Sequence, residues 1–102
     1  MLTAVLAASC GVGAVREPDV RDARWAAGRW PGTTVANLQR GRDLFSSRCS
    51  TCHALPSPEG KSPEEWGPAV DEMGSRAELS AGDRLDLLRY LSASSERSRS
   101  GT

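Results

Sequence analysis

The stretch Cys49-Ser50-Thr51-Cys52-His53 dominates the interpretation of this chain of 102 residues. Two residues separate the two thiols, and an imidazole follows the second thiol directly. This spacing is typical of covalent haem attachment, in which each cysteine forms a thioether with one vinyl group. His53 would then lie under the iron as its proximal ligand. The stretch therefore predicts one covalently bound haem c.

Other interpretations of these three side chains stay open. A structural zinc ion needs four ligands, and only Cys10, far away in the sequence, is left to complete such a set. A redox-active dithiol of the thioredoxin type requires alternating strands and helices, which this sequence does not predict. A simple disulfide between Cys49 and Cys52 is the remaining alternative. None of these three alternatives accounts for both thiols and the imidazole at this spacing as well as haem attachment does.

Size and charge predict a single small domain. The chain carries thirteen basic and thirteen acidic residues, so its formal net charge is zero, and we expect no nucleic-acid partner. We expect the folded domain to span residues 34–95. A domain of that size buries a modest fraction of its surface and often needs an extra staple, which a haem would supply.

The first ten residues are apolar and small, and they end at Cys10. They are too few to cross a bilayer. Leu6-Ala7-Ala8-Ser9-Cys10 resembles the end of a bacterial lipoprotein signal peptide, although a basic segment is missing before it. We therefore expect an exported, periplasmic protein that a lipid on Cys10 attaches to the membrane. The alternative is a secretory peptide that is cut nearby, with Cys10 incidental.

Residues 11–33 are rich in Gly, Pro, Arg, Asp and Ala without a sustained period, which predicts a flexible tether. Trp25 and Trp30 interrupt it, and we expect both indoles to fold back onto the domain. The last residues, 96–102, are polar and of low complexity, which predicts a disordered tail.

The first predicted helix begins at Thr34 and ends at about Arg48, directly before Cys49. Its apolar residues follow helical spacing and are Val35, Leu38, Leu44 and Phe45. Gly41 lies on nearly the same face. Glycine costs about 1 kcal/mol in a helix, so we expect a close helix–helix approach at this residue.

Two further helices are predicted after the motif. Ser62 is the expected N-cap of the second helix, with Pro63 at its first position and Glu65 completing a capping box. Pro68 disturbs this helix, and Gly74 is its expected end. The third helix begins after Ser80 and ends near Leu91 or Ser92. The sequence thus predicts an all-α fold of three main helices around one haem.

Met73 is the predicted distal ligand of the iron. His53 is the only histidine, so a second ligand must be of another type. Met73 shares a helix face with Trp66 and Val70, and a thioether favours ferrous iron. Lys61 and an open or water-filled position are the alternatives. The predicted apolar lining of the haem pocket consists of Phe45, Trp66, Val70, Leu79, Leu85 and Leu88.

From about Leu38 to Leu91 the chain resembles small class I bacterial cytochromes c. The matching residues are Gly41-Arg-Asp-Leu-Phe45, the Cys49–His53 motif, a distal Met, and Leu87-Leu-Arg-Tyr90-Leu91. In that family the first and last helices cross with a glycine against an aromatic ring, which Gly41 and Tyr90 match. The block from Glu64 to Ser80 also resembles haem domains that are attached to dehydrogenases. The interval between His53 and Met73 is shorter than is typical of class I.

The resemblance and the motif together imply a single-electron carrier rather than an enzyme. Its expected partners are redox proteins, either a dehydrogenase or a respiratory complex, and the membrane is a further partner through the lipid anchor. The alternative is a haem-based gas sensor or peroxidase-like domain with an open distal site. A structural lipoprotein with an incidental Cys-x-x-Cys-His stretch is a third interpretation.

Overall fold

The structure is a computed structural model that describes residues 16–48 and 57–100. Within these residues it contains four α-helices, one 3₁₀ turn and no β-strand. The elements are α1 (Val20–Arg29), α2 (Val35–Arg48), the 3₁₀ turn Pro58–Gly60, α3 (Pro63–Arg76) and α4 (Ala81–Arg99). The predicted all-α fold class is confirmed, but there are four helices where the sequence predicted three.

Helix α4 is the element against which all the others pack. Its apolar stripe meets α2 and α3 in the larger of two apolar clusters, which consists of Leu44, Phe45, Trp66, Val70, Leu79, Leu87, Tyr90 and Leu91. Met73 and Leu88 pack against this cluster and are partly buried. Burial of these side chains is the main force that holds α2, α3 and α4 together.

The crossing of α2 and α4 is as close as the sequence predicts. A Cβ atom at Gly41 would lie 2.1 Å from the carbonyl oxygen of Asp86 and 2.7 Å from the Cβ of Tyr90. No side chain fits in that space, so glycine allows the two backbones to touch. The ring of Tyr90 extends the contact to Phe45, with 6.2 Å between the ring centroids.

The predicted starts of α3 and α4 are confirmed. The Ser62 hydroxyl accepts a hydrogen bond from the Glu65 backbone N–H, and the Glu65 carboxylate accepts one from the Ser62 N–H at 2.8 Å. The Ser80 hydroxyl accepts from the Asp83 N–H at 3.1 Å. These caps satisfy donors that the first helical turn leaves without intrahelical partners.

The predicted end of α3 at Gly74 is wrong, because the helix continues to Arg76 and also passes through Pro68. Gly74 is buried inside the helix, where a Cβ atom would lie 2.7 Å from the side chain of Arg84. The glycine therefore makes room for an arginine from α4 rather than ending α3.

The connection from α3 to α4 contains a left-handed residue that is not glycine. Glu78 has a φ of +58°. Its N–H donates to the carbonyl of Ser75 at 3.3 Å, and the N–H of Leu79 donates to the carbonyl of Gly74 at 2.9 Å. This pair of bonds is the Schellman ending of a helix, in which the left-handed position usually belongs to glycine.

The predicted tether differs most from the structure, because it contains helix α1. Asp19 caps this helix, and Asp22 completes a capping box with it. Ala23 and Ala26 are buried against Leu38 of α2 in the second apolar cluster. The expected return of the two indoles to the domain is confirmed, since Trp25 and Trp30 pack against the same cluster.

Helix α4 also continues beyond the predicted end at Leu91 or Ser92, to Arg99. The polar residues from Ser92 to Ser95 are buried, and the Ser95 hydroxyl donates to the carbonyl of Lys61 at 2.5 Å. Their small side chains allow other parts of the chain to approach closely. Residues 96–100 are therefore largely helical, where the sequence predicted a disordered tail.

A buried carboxylate joins the end of α4 to α1. The side chain of Asp22 is 1% exposed and lies 2.9 Å from a nitrogen of Arg16 and 3.0 Å from a nitrogen of Arg97. Arg97 also pairs with Asp19 at 3.1 Å. A buried charge is costly without partners, so the ion pairs with Arg16 and Arg97 are what stabilise the buried side chain of Asp22.

Candidate functional site

The residues predicted to attach the haem, Cys49, Cys52 and His53, lie outside the described residues, as does Cys10. The structure describes the two chain ends that flank the motif and the predicted residues that lie elsewhere. These flanks determine where the motif enters and leaves the helical domain.

The flank before the motif is the end of α2, and it is anchored. Leu44 and Phe45, in the last turns of α2, are buried in the larger apolar cluster. Arg48, the last residue of the helix, donates a guanidinium hydrogen bond to the backbone carbonyl of Ala77. The chain therefore enters the Cys49–His53 motif beside the C-terminal end of α3.

Met73 lies one helical turn before that contact. The N–H of Ala77 donates to the carbonyl of Met73 at 2.9 Å. One turn of an α-helix rises about 5.4 Å, so Met73 is close to the point where Arg48 meets α3. The Met73 side chain is partly buried against the larger apolar cluster. The structure thus brings the predicted distal ligand near the residue that precedes Cys49.

The flank after the motif is anchored as well. The indole N–H of Trp66 donates to the carbonyl of Pro58 at 2.8 Å, and Pro58 itself is buried. The Lys61 carbonyl accepts from Ser95, while its ammonium lies 5.9 Å from the centre of the Trp66 ring. The alternative distal ligand Lys61 therefore faces an indole at cation–π distance.

The predicted pocket residues fall into two groups. Phe45 and Trp66 are 0% and 1% exposed, and Leu79 is buried with them in the larger cluster. Leu85 and Leu88 are half-buried instead. They line a groove of about 430 Å³ between α3 and α4, together with Val70, Asp71, Ala81 and Arg84. Among the described residues, Leu85 and Leu88 are thus the predicted pocket residues that a ligand can still contact.

Two titratable groups near the helix contacts have shifted pKa values with structural causes. Burial raises the pKa of Tyr90, whose hydroxyl donates to the backbone carbonyl of Arg16 at 2.8 Å. The backbone N–H of Ser62 lowers the pKa of Glu65, its partner in the capping box. The two shifts therefore follow from the burial of Tyr90 at the helix crossing and from the capping box at Ser62.

Among residues 16–48 and 57–100, no three His, Cys, Asp or Glu side chains are grouped so that they would hold a metal ion. In the same part of the chain, no helix combines the length and the apolar character that crossing a bilayer requires.

Sequence reasoning missed the contacts that anchor the motif. Arg48 was expected only as the end of a helix, and the acceptor carbonyls of Ala77 and Pro58 were not anticipated at all. A backbone carbonyl is the same group in every residue, so no sequence pattern marks these two acceptors. The capping serines, in contrast, were marked by their side chains.

The chain was also compared with known proteins. No protein family, curated protein or solved structure matches it.

Proposed function

We propose that this protein is a single-electron carrier with one haem c, attached through Cys49 and Cys52. In this proposal His53 is the proximal ligand and Met73 the distal ligand of the iron. The observation that carries the proposal is the hydrogen bond from Arg48 to Ala77, one turn from Met73. It joins the residue before the attachment motif to the helix of the only internal methionine.

The residues present fit such a group. A partly buried thioether at Met73 is a soft, neutral donor against an apolar cluster. Leu85 and Leu88, which are half-buried, offer apolar surface along the groove between α3 and α4. Phe45 and Trp66 are enclosed by protein side chains and would keep water out of the apolar cluster next to the end of α2.

When bound, the haem supplies an iron that exchanges one electron at a time between its ferric and ferrous states. The chain's own residues would then control that exchange. His53 and Met73 would both hold the iron, so that no ligand site would stay open for a substrate. A neutral sulfur ligand and a dry apolar surrounding both favour the lower charge of the ferrous state. These roles suit electron transfer rather than catalysis.

The resemblance to small class I bacterial cytochromes c supports the same proposal. It implies a glycine on the first helix against an aromatic residue on the last, and Gly41 meets Tyr90 in this way. A shared helix crossing is an argument from fold analogy, so the function rests on the motif and its flanks. The partners proposed on this basis are a dehydrogenase or a respiratory complex outside the cytoplasm.

Covalent attachment is tested by expressing the full chain together with a cytochrome maturation system. We expect a haem-stained band at the mass of the chain on a denaturing gel, because thioethers survive denaturation. Cys52→Ala should lose most of the stain. Ser50→Ala is the matched control, since it changes the same motif without removing a thiol, and it should keep the stain. An unstained parent chain would refute the proposal.

Distal ligation is tested by Met73→Leu, which keeps the side-chain volume and removes the sulfur. We expect low-spin spectra in both oxidation states of the parent, with the weak far-red band of a sulfur–ferric bond. The variant should lose that band and bind CO rapidly. Glu72→Gln, at an exposed site next to Met73 on α3, should keep the band. High-spin ferric spectra and rapid CO binding in the parent would instead favour the sensor or peroxidase-like alternative.

A further inference from the structure

Helix α1 has two chemically different faces. Its inner face carries the buried residues Asp22, Ala23 and Ala26. At 3.6 residues per turn, the opposite side spans about 140° of arc and holds five residues. These residues, called here the outer face of α1, are Val20, Arg21, Arg24, Trp25 and Gly28. No acidic residue lies among them.

The two arginines of the outer face are exposed and available. Among the described residues, neither Arg21 nor Arg24 has a side-chain hydrogen bond or an ion pair. Arg29, at the edge of this face, differs because it pairs with Glu64 at 2.8 Å and lies 4.9 Å from the Trp25 ring. The outer face therefore presents two unpaired positive charges on one side of the helix.

Apolar side chains accompany these charges. Val20 is 59% exposed, and among the described residues it is the only large apolar side chain that is exposed. Trp25 is half-buried and also lines a groove of about 220 Å³ between α1 and the end of α4, where Arg21 and Glu96 lie. Guanidinium groups pair strongly with phosphate oxygens, and tryptophan is enriched where an apolar phase meets water, as it does at a bilayer surface.

We propose that the outer face of α1 binds the anionic headgroups of a phospholipid bilayer. The phosphates would pair with Arg21 and Arg24, while Val20 and Trp25 would contact the boundary with the acyl chains. An acidic protein would also attract the arginines, and the test below distinguishes it from a bilayer. The sequence also predicts a lipid on Cys10, ten residues before Val20, and ten residues reach at most about 35 Å. The proposal does not depend on haem.

The test is cosedimentation of the purified full chain, not lipidated, with vesicles of phosphatidylcholine that contain one quarter phosphatidylglycerol. Each arginine near an anionic surface strengthens binding by about fivefold. Arg21→Gln combined with Arg24→Gln should therefore weaken binding by an order of magnitude or more at low ionic strength. Raising the salt to about 0.15 M should reduce the difference between parent and variant, because screening shortens the reach of surface charges.

The matched control is Arg76→Gln combined with Arg99→Gln, which removes the same charge from exposed sites on α3 and α4. It should keep most of the vesicle binding, and circular dichroism checks that each variant is folded. Equal loss of binding in control and variant would overturn the proposal, because net charge rather than α1 would then be responsible. Stronger binding to soluble polyglutamate than to vesicles would overturn it in favour of an acidic protein partner.

Discussion

Helix α4 makes two contacts that differ in kind. Against α2 it packs a backbone on a backbone at Gly41, beside the rings of Tyr90 and Phe45. Against α1 it relies on Arg97, which pairs with Asp19 and the buried Asp22. The first contact depends on shape and on the burial of apolar side chains. The second depends on ion pairs between arginine and aspartate. The two should therefore respond differently to mutation and to pH.

The largest effect is expected at the contact between α2 and α4. Gly41→Ala places a methyl group 2.1 Å from a backbone oxygen, so the helices must separate. We expect the free energy of unfolding to fall by about 3 kcal/mol, as measured by urea denaturation. Gly28→Ala is the control, because no atom lies within 4 Å of its Cβ position. It should gain about 0.5–1 kcal/mol from helix propensity.

The contact between α1 and α4 should break at Asp22. Asp22→Ala leaves Arg16 and Arg97 without a shared acceptor, and we expect a loss of about 2 kcal/mol. Hydrogen exchange should show the amides of α1 losing protection while those of α2 keep it. Glu72→Ala, which removes an exposed pair with Arg76, should change stability by less than about 0.5 kcal/mol. Equal loss of protection in α1 and α2 would show that the two contacts are not separable.

A smaller effect of opposite sign is expected at the turn that leads into α4. Glu78 has a left-handed backbone that glycine adopts without strain. Glu78→Gly should therefore raise the free energy of unfolding by about 0.5–1 kcal/mol, net of the greater freedom of glycine in the unfolded chain. Glu72→Gly, the same exchange inside α3, should instead lower it by about 1 kcal/mol. A destabilised Glu78→Gly variant would contradict the role of this turn.

Acid should weaken the contact between α1 and α4. The hydrogen bond from Arg97 lowers the pKa of Asp19 from 3.8 to about 2, and the backbone N–H groups of Arg21 and Asp22 act in the same direction. A carboxyl group with a lowered pKa in the folded state stabilises the protein above its unfolded pKa, and this contribution disappears as the pH falls toward 2. Stability measured from pH 4 to pH 2 should therefore fall less steeply in Asp19→Asn than in the parent. If stability falls equally steeply with pH in the parent and in the variant, Asp19 does not contribute to the loss of stability in acid.

The pairing of Gly41 with Tyr90 between α2 and α4 was implied by the resemblance to class I bacterial cytochromes c. The close approach at Gly41 itself was predictable from the residues, because this glycine lies within a regular apolar stripe of a predicted helix. The starts of α3 and α4 were predictable for a related reason. Ser62 and Ser80 each carry an oxygen that serves the third residue of the following helix.

The contact between α1 and α4 was not predictable in the same way. Helix α1 has only alanines and tryptophans to bury, and its inner face includes Asp22, which any hydropathy pattern assigns to solvent. A clue was present in Asp19 and Asp22, whose spacing of three is that of a capping box. The buried serines of α4 were missed because small polar side chains resemble those of a disordered tail.

The candidate site was predictable in its chemistry but not in its surroundings. The motif identified Cys49, Cys52 and His53 as a set, and their attachment of haem stays a prediction. Met73 was chosen because it is the only internal methionine, and the structure adds that it lies close to the contact between Arg48 and Ala77. That contact depends on a backbone carbonyl as acceptor, so it could not be predicted from the sequence.

The order of the elements along the chain has a consequence for biosynthesis. Helix α4 follows all the other described elements, yet Phe45 and Trp66 depend on it for their burial. In the proposed exported protein, Cys52 crosses the membrane before α4 does. During that interval the thiols belong to an open polypeptide, which an attachment enzyme can reach before the helices close. Slower export of the last residues should therefore favour complete modification of the motif.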